Sequence, residues 1–213
     1  MLCMKRIAQM RLRLTKGCKI VGTNFQNYDF FAQRKLGPSR LQALRKCMLN
    51  YAVTAFHVPH ADEHQNEYLP ERAERLAWLT GFTGSAGFAI ATLETCVVFV
   101  DGRYTLQVKD QIDQQAFEPQ NLTDNPPSKW IAEHASEDDT IGYDPWLITA
   151  DQFEKFEKAV KKTGATLKPV PNLIDEIWEN QPVAPTGPVA VQSVTFAGKS
   201  TEEKVKELSL IHI

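Results

Sequence analysis

Two apolar runs of strand length, residues 88–92 and 96–100, are separated by only three residues, and this spacing constrains the chain more than any other feature. So short a connection returns the second run alongside the first, which predicts an antiparallel hairpin. The second run is also the longest uninterrupted apolar stretch in the chain. It falls far short of the roughly 20 residues that a membrane-spanning helix needs, so a membrane span is excluded.

Around the hairpin the pattern alternates between helix and strand. Pro38 and Ser39 predict a helix start, with Leu41, Leu44, Met48 and Leu49 as its apolar face. Residues 52–58, stopped by Pro59, read as a buried strand. A polar loop over residues 60–67 follows, then a short helix through Arg72, Leu76 and Leu79, and a turn punctuated by Gly81, Gly84 and Gly87. After the hairpin, Tyr104, Val108 and Ile112 have helical spacing, residues 129–135 read as a helix and residues 141–143 as a strand. Thr149 and Gln152 match a capping box, Phe153, Phe156 and Val160 repeat behind it, and Gly164 sits where a C-terminal cap belongs. A strand over residues 166–170 and a short helix with Leu173, Ile174 and Ile177 complete the series. The fold class expected is α/β, a mixed β-sheet flanked by helices on both faces. Trp78, Phe82, Trp130, Trp146 and Trp178 are expected to pack in its core.

Charge divides the 213 residues unevenly. The net charge is −2, which gives no argument for nucleic acid or an acidic surface as a partner. Yet residues 1–40 carry nine Lys and Arg against the single acid Asp29, a balance of +8 that leaves −10 for the rest. Residues 1–23 are therefore set apart as a basic leader. They read either as an unstructured arm or as translation from upstream of the true start, and lack the serines of an organelle signal. At the other end, Pro182, Pro185, Gly187 and Pro188 mark residues 181–199 as a linker. Ser200 and Glu203 then open a helix expected to end at Leu208, the truncated start of a second domain over residues 200–213, in which residues 209–213 look non-native. Cys3, Cys18, Cys47 and Cys96 contain no C-x-x-C spacing, so neither a zinc site nor a disulfide framework follows and a cytoplasmic setting is expected.

Candidate chemistry is sparse. His60 and His64, with Asp62, Glu63 and Glu67, supply metal-ligating atoms, but behind Pro59 they read as a loop in which a four-residue spacing fixes no geometry. The three glycines lack the Gly-Lys-Ser/Thr of a phosphate-binding loop and precede a strand instead of a helix, which makes them turn residues. Ser85 lacks a nucleophile context, and Cys47 and Cys96 fall on core faces. Arg103, in Asp101-Gly102-Arg103-Tyr104 at the end of the second hairpin strand, can grip a carboxylate or carbonyl with its fork of donors. An exposed arginine at a helix start is the alternative reading.

Five blocks together resemble one family, the Xaa-Pro aminopeptidases (aminopeptidase P) of the long three-domain type. They are residues 60–68 (His60, Asp62, His64, Tyr68), 79–87 (Gly81, Gly84, Gly87), 101–104 with Gln107, 141–145 (Gly142, Asp144, Pro145) and 172–178 (Asn172, Ile177, Trp178). The resemblance implies that residues 24–180 form the family's creatinase-like N-terminal domain. It implies a parent metallopeptidase that removes the N-terminal residue preceding proline, cytoplasmic and homodimeric. It places catalysis in a later domain, where two Asp, one His and two Glu hold two divalent metal ions, usually manganese, that generate the attacking hydroxide. None of those ligands matches a residue here, His60 and His64 included, so no catalytic and no metal-binding residue is expected in this chain. Arg103 matches a peptide-contacting arginine of the family and is the one substrate-binding residue carried over. The expectation is a non-catalytic N-terminal fragment of such an enzyme; the alternative is a stand-alone peptide-binding or interaction module.

Overall fold

The computed structural model describes residues 32–212, so the basic leader over residues 1–23 lies outside the described residues, as do Cys3 and Cys18. The strands are β1 (Ala55–Pro59), β2 (Gly87–Thr92), β3 (Cys96–Val100), β4 (Glu118–Asn121), β5 (Thr140–Tyr143) and β6 (Thr166–Pro169), in the sheet order β4-β3-β2-β1-β5-β6. β2 and β3 form the expected hairpin, Gly87 opposite Val100 and Ala91 opposite Cys96. β2 is antiparallel to both neighbours, while β3–β4, β1–β5 and β5–β6 are parallel. Five strands therefore point one way, and their C-terminal ends share one edge of the sheet with the start of β2.

The helices of this unit are α1 (Gly37–Asn50), α2 (Arg75–Thr80), α3 (Gln107–Gln111), α4 (Pro127–His134), α5 (Ala150–Thr163) and α6 (Leu173–Ile177). β3 shows how the two layers of helix are held apart. Cys96, Val98 and Val100 belong to a core with Leu44 and Met48 of α1, Leu76 of α2 and Leu173 of α6. Val97 and Phe99, the alternate residues, belong to a second core with Trp130 and Ile131 of α4 and Phe156 and Val160 of α5. A strand's period of two puts successive side chains on opposite faces, so a continuous apolar run means a sheet covered on both. The expected mixed α/β architecture is what forms.

Several local boundaries differ from the sequence reading. α1 starts at Gly37, before Ser39, with Pro38 in its first turn, where a missing N–H costs nothing. The Ser39 hydroxyl donates back to the Leu36 carbonyl at 2.9 Å and does not cap the helix. Leu49 is 63 % exposed, off the stripe formed by Leu41, Leu44 and Met48. β1 begins at Ala55, because Ala52 has a positive φ of 49° in the turn that leaves α1. β4 has no apolar pattern in Glu118-Pro119-Gln120-Asn121; it is an edge strand, where an interior proline is tolerated. Trp146 is 76 % exposed and is no core residue. The capping box at Thr149–Gln152 and the left-handed Gly164 after α5 are both present.

The chain divides after Pro182 into two compact units. The second contains α7 (Val194–Ala197) and α8 (Thr201–His212). Ser200 and Glu203 cap α8 reciprocally, at 2.8 Å from the Ser200 amide to Glu203 Oε2 and 3.2 Å from the Glu203 amide to Ser200 Oγ. The helix continues through Leu208 to His212, past the expected end.

Candidate functional site

The blocks that stood out in the sequence converge on the C-terminal edge of the sheet. β3 is followed by Asp101, whose carboxylate accepts from the Arg103 amide at 2.9 Å and starts a single 3-10 turn, Gly102–Tyr104. The same carboxylate takes the Arg103 guanidinium, Nη2 at 2.6 Å and Nε at 3.0 Å. Each group shifts the other. The Arg103 hydrogen bonds hold the Asp101 pKa below its ordinary value, and Asp101 raises that of Arg103, with a further contribution from Glu67 of the histidine-rich loop. The Arg103 side chain is nonetheless 69 % exposed and lies over the Tyr104 ring at 5.1 Å. Nη1 has no hydrogen-bond partner among the described residues. Asp101 thus fixes the direction of an arginine whose outer edge is open to a ligand.

The glycine-punctuated turn supports this arginine from below. The Tyr104 hydroxyl is 2.8 Å from Ser85 Oγ, and its ring meets Phe82 edge-on at 5.7 Å. Gln107 and Gln111 of α3 both donate to Thr83 Oγ1, at 3.3 and 2.8 Å. A Cβ on Gly84 would run into the Phe82 ring and stand 2.9 Å from Tyr104, so this glycine permits close packing of the turn. Ser85 faces a tyrosine, not a histidine, and has no base to activate it.

The histidine-rich loop is organised by Asp62, which is 1 % exposed. It accepts from the amides of His64 at 3.0 Å and Asn66 at 2.9 Å, and from the Asn66 side chain at 2.8 Å. Those bonds occupy the oxygens a metal would need. His60 turns inward to Glu74 at 3.6 Å, while His64, Glu63 and Glu67 are exposed. Burial lowers the His60 pKa against the opposing field of Asp62. Among the described residues no group of three His, Cys, Asp or Glu side chains could hold a metal ion. Cys47 and Cys96 are buried free thiols, their pKa pushed up by burial to about 11 and about 12, and are inert as nucleophiles.

Sequence reasoning missed two features of this region. One is the His60–Glu74 contact. The other is the ion pair of buried Arg75 with the half-buried Asp175, at 2.6 Å across 100 positions of sequence. Adjacent Glu74 and Arg75 entering an apolar helix was the available signal, since charges there need buried partners.

Comparison with known proteins settles the family. Residues 40–177 match the model of the creatinase/prolidase N-terminal domain. This chain belongs to that family. It is 38 % identical over 173 residues to the probable Xaa-Pro aminopeptidase P of Coccidioides posadasii, covering 79 % of this chain and 27 % of that protein. It is 34 % identical over 172 residues to aminopeptidase P1 of Lotus japonicus, covering 79 % and 26 %. The chain therefore spans about a quarter of the length of these relatives. The crystal structure of the X-prolyl aminopeptidase from Caenorhabditis elegans, described as a cytosolic enzyme with a di-nuclear active site, superposes with a TM-score of 0.70 at 29 % identity over 80 % of this chain and 30 % of that one. The N-terminal domain of the cytoplasmic peptidase PepQ from Mycobacterium tuberculosis H37Rv shares the fold, with a TM-score of 0.52 at 17 % identity over 66 % and 98 % of the two chains. No helix among the described residues is long and apolar enough to cross a membrane.

Proposed function

We propose that this creatinase-type domain is the N-terminal, non-catalytic part of a cytoplasmic, homodimeric metalloaminopeptidase that removes the N-terminal residue preceding proline, and that Arg103 contacts its peptide substrate. The observation that carries the reading is an exposed arginine, fixed by Asp101 and buttressed by Tyr104, in a chain 38 % identical to a probable Xaa-Pro aminopeptidase P. A guanidinium held in this way offers paired donors to a peptide carbonyl or carboxylate and supplies neither a nucleophile nor a proton at neutral pH. The hydrolytic step is assigned to a pair of divalent ions, manganese, in a part of the relatives that this chain does not span. Those ions would lower the pKa of a bound water and polarise the scissile carbonyl.

The purified 213-residue chain, supplied with manganese and an Xaa-Pro-Xaa peptide, is expected to release no N-terminal residue. Measurable release by the chain itself would refute the non-catalytic assignment. The reading frame downstream of residue 208 tests the larger claim. Two Asp, one His and two Glu encoded downstream support it, and a stop codon there favours a stand-alone peptide-binding module.

A further inference from the structure

A second feature opens at the same edge, a cavity of about 470 Å3 between the start of β2 and helices α4 and α5. That is within the range of roughly 300–1,000 Å3 seen for small-molecule sites. Its walls are largely apolar, with Phe88 and Phe156 prominent among them. His57 enters from β1 and is 5 % exposed. Its ring touches Phe88 at 5.3 Å and stands edge-on to Phe156 at 5.1 Å, but its nitrogens have no hydrogen-bond partner among the described residues. The imidazole nitrogens are therefore free to bond to a molecule that enters the cavity.

Two further groups give the cavity a sign. Ser128, in the first turn of α4, leaves both its amide and its hydroxyl without an intramolecular partner among the described residues, at the positive end of the helix. Lys155 of α5 lines the same space and has no carboxylate within ion-pair distance among the described residues. No Asp or Glu lines the cavity. Donors and one cation therefore face an aromatic wall with nothing to neutralise them.

We propose that this cavity binds a small carboxylate with an apolar body. The carboxylate is held by Ser128 and Lys155, the apolar body lies against Phe88 and Phe156, and the His57 N–H donates to the ligand. The shared chemistry belongs equally to the C-terminal residue of a peptide and to a free acid.

Amide NMR spectra of the full chain, titrated with N-acetylphenylalanine, with 3-phenylpropionate and with the neutral N-acetylphenylalaninamide up to about 10 mM, test the proposal. Saturable shifts at Ser128, Lys129 and Phe156 with either acid support it. Binding of the first acid alone assigns the site to a peptide terminus, and of the second alone to a free acid. Lys155→Met, at an exposed position, is expected to weaken binding at least roughly fivefold with the spectrum otherwise unchanged. Absence of saturable shifts with both acids, equal binding of the neutral amide, or unaltered affinity in Lys155→Met would each overturn it.

Discussion

Asp62 and His57 lie within three residues of Pro59 and His60, yet each has a role that no motif describes. Asp62 is a loop organiser: three donors from His64 and Asn66 converge on one buried carboxylate. Asp62→Ala leaves those donors unpaired and is expected to cost about 1–3 kcal/mol, read by chemical denaturation, whereas a change below a few tenths contradicts the role. His57 is held neutral by burial, its pKa lowered from 6.5 to about 4. Unfolding frees it to take a proton below pH 6.5. Its contribution to stability is therefore complete above that pH and is lost as the pH falls towards 4, amounting to about 3 kcal/mol at the lower end. His60 is shifted in the same direction and shares in the fall. In His57→Phe the loss of stability between pH 6.5 and 4 should be visibly smaller, and an unchanged slope contradicts the assignment. Neither role was legible in the sequence, because both depend on partners or burial set by the fold. Arg103 was legible as a candidate because Asp101-Gly102 places it directly after a strand. Its bidentate hold by Asp101 was not.

Among the elements, those with a strong local code were readable and those made by tertiary contact were not. The hairpin, with its three-residue connection, and α5, with its capping box and Gly164, form where the spacing requires. β4 carries no local signal, since Glu118 to Asn121 become a strand only because β3 offers an open edge. α1 begins earlier than expected because proline in its first turn outweighs a serine cap. Thr149→Ala is expected to destabilise the domain by about 1 kcal/mol, measured by thermal or urea unfolding, through loss of the bond to the Gln152 amide. Gly87 is a sharper test of the sheet. A Cβ there would stand 2.7 Å from the Phe99 carbonyl oxygen, inside the β2–β3 ladder. Gly87→Ala should cost about 1–3 kcal/mol, and a neutral result would mean that the strands separate freely at this point.

At the scale of the molecule, the parallel strands bring distant blocks of sequence to one edge. The histidine-rich loop follows β1, the Arg103 turn follows β3 and the glycine-punctuated turn precedes β2, so these three segments meet at one edge of the sheet. That edge bears Arg103 and two large exposed aromatic residues, Tyr68 and Trp146, at 80 % and 76 % exposure. The order of the blocks along the chain was readable, but their common edge follows from the antiparallel placement of β2 alone. The chain covers about a quarter of the two relatives compared, and the role proposed for it in a peptidase requires this edge to meet substrate. Steady-state kinetics of Arg103→Ala in the full-length enzyme proposed above, with an Xaa-Pro peptide, tests that claim most directly. A KM raised about tenfold or more, a smaller change in kcat and an unaltered melting temperature are expected, because Arg103 is exposed and its loss leaves the core intact. Kinetics indistinguishable from those of the unsubstituted enzyme would contradict it.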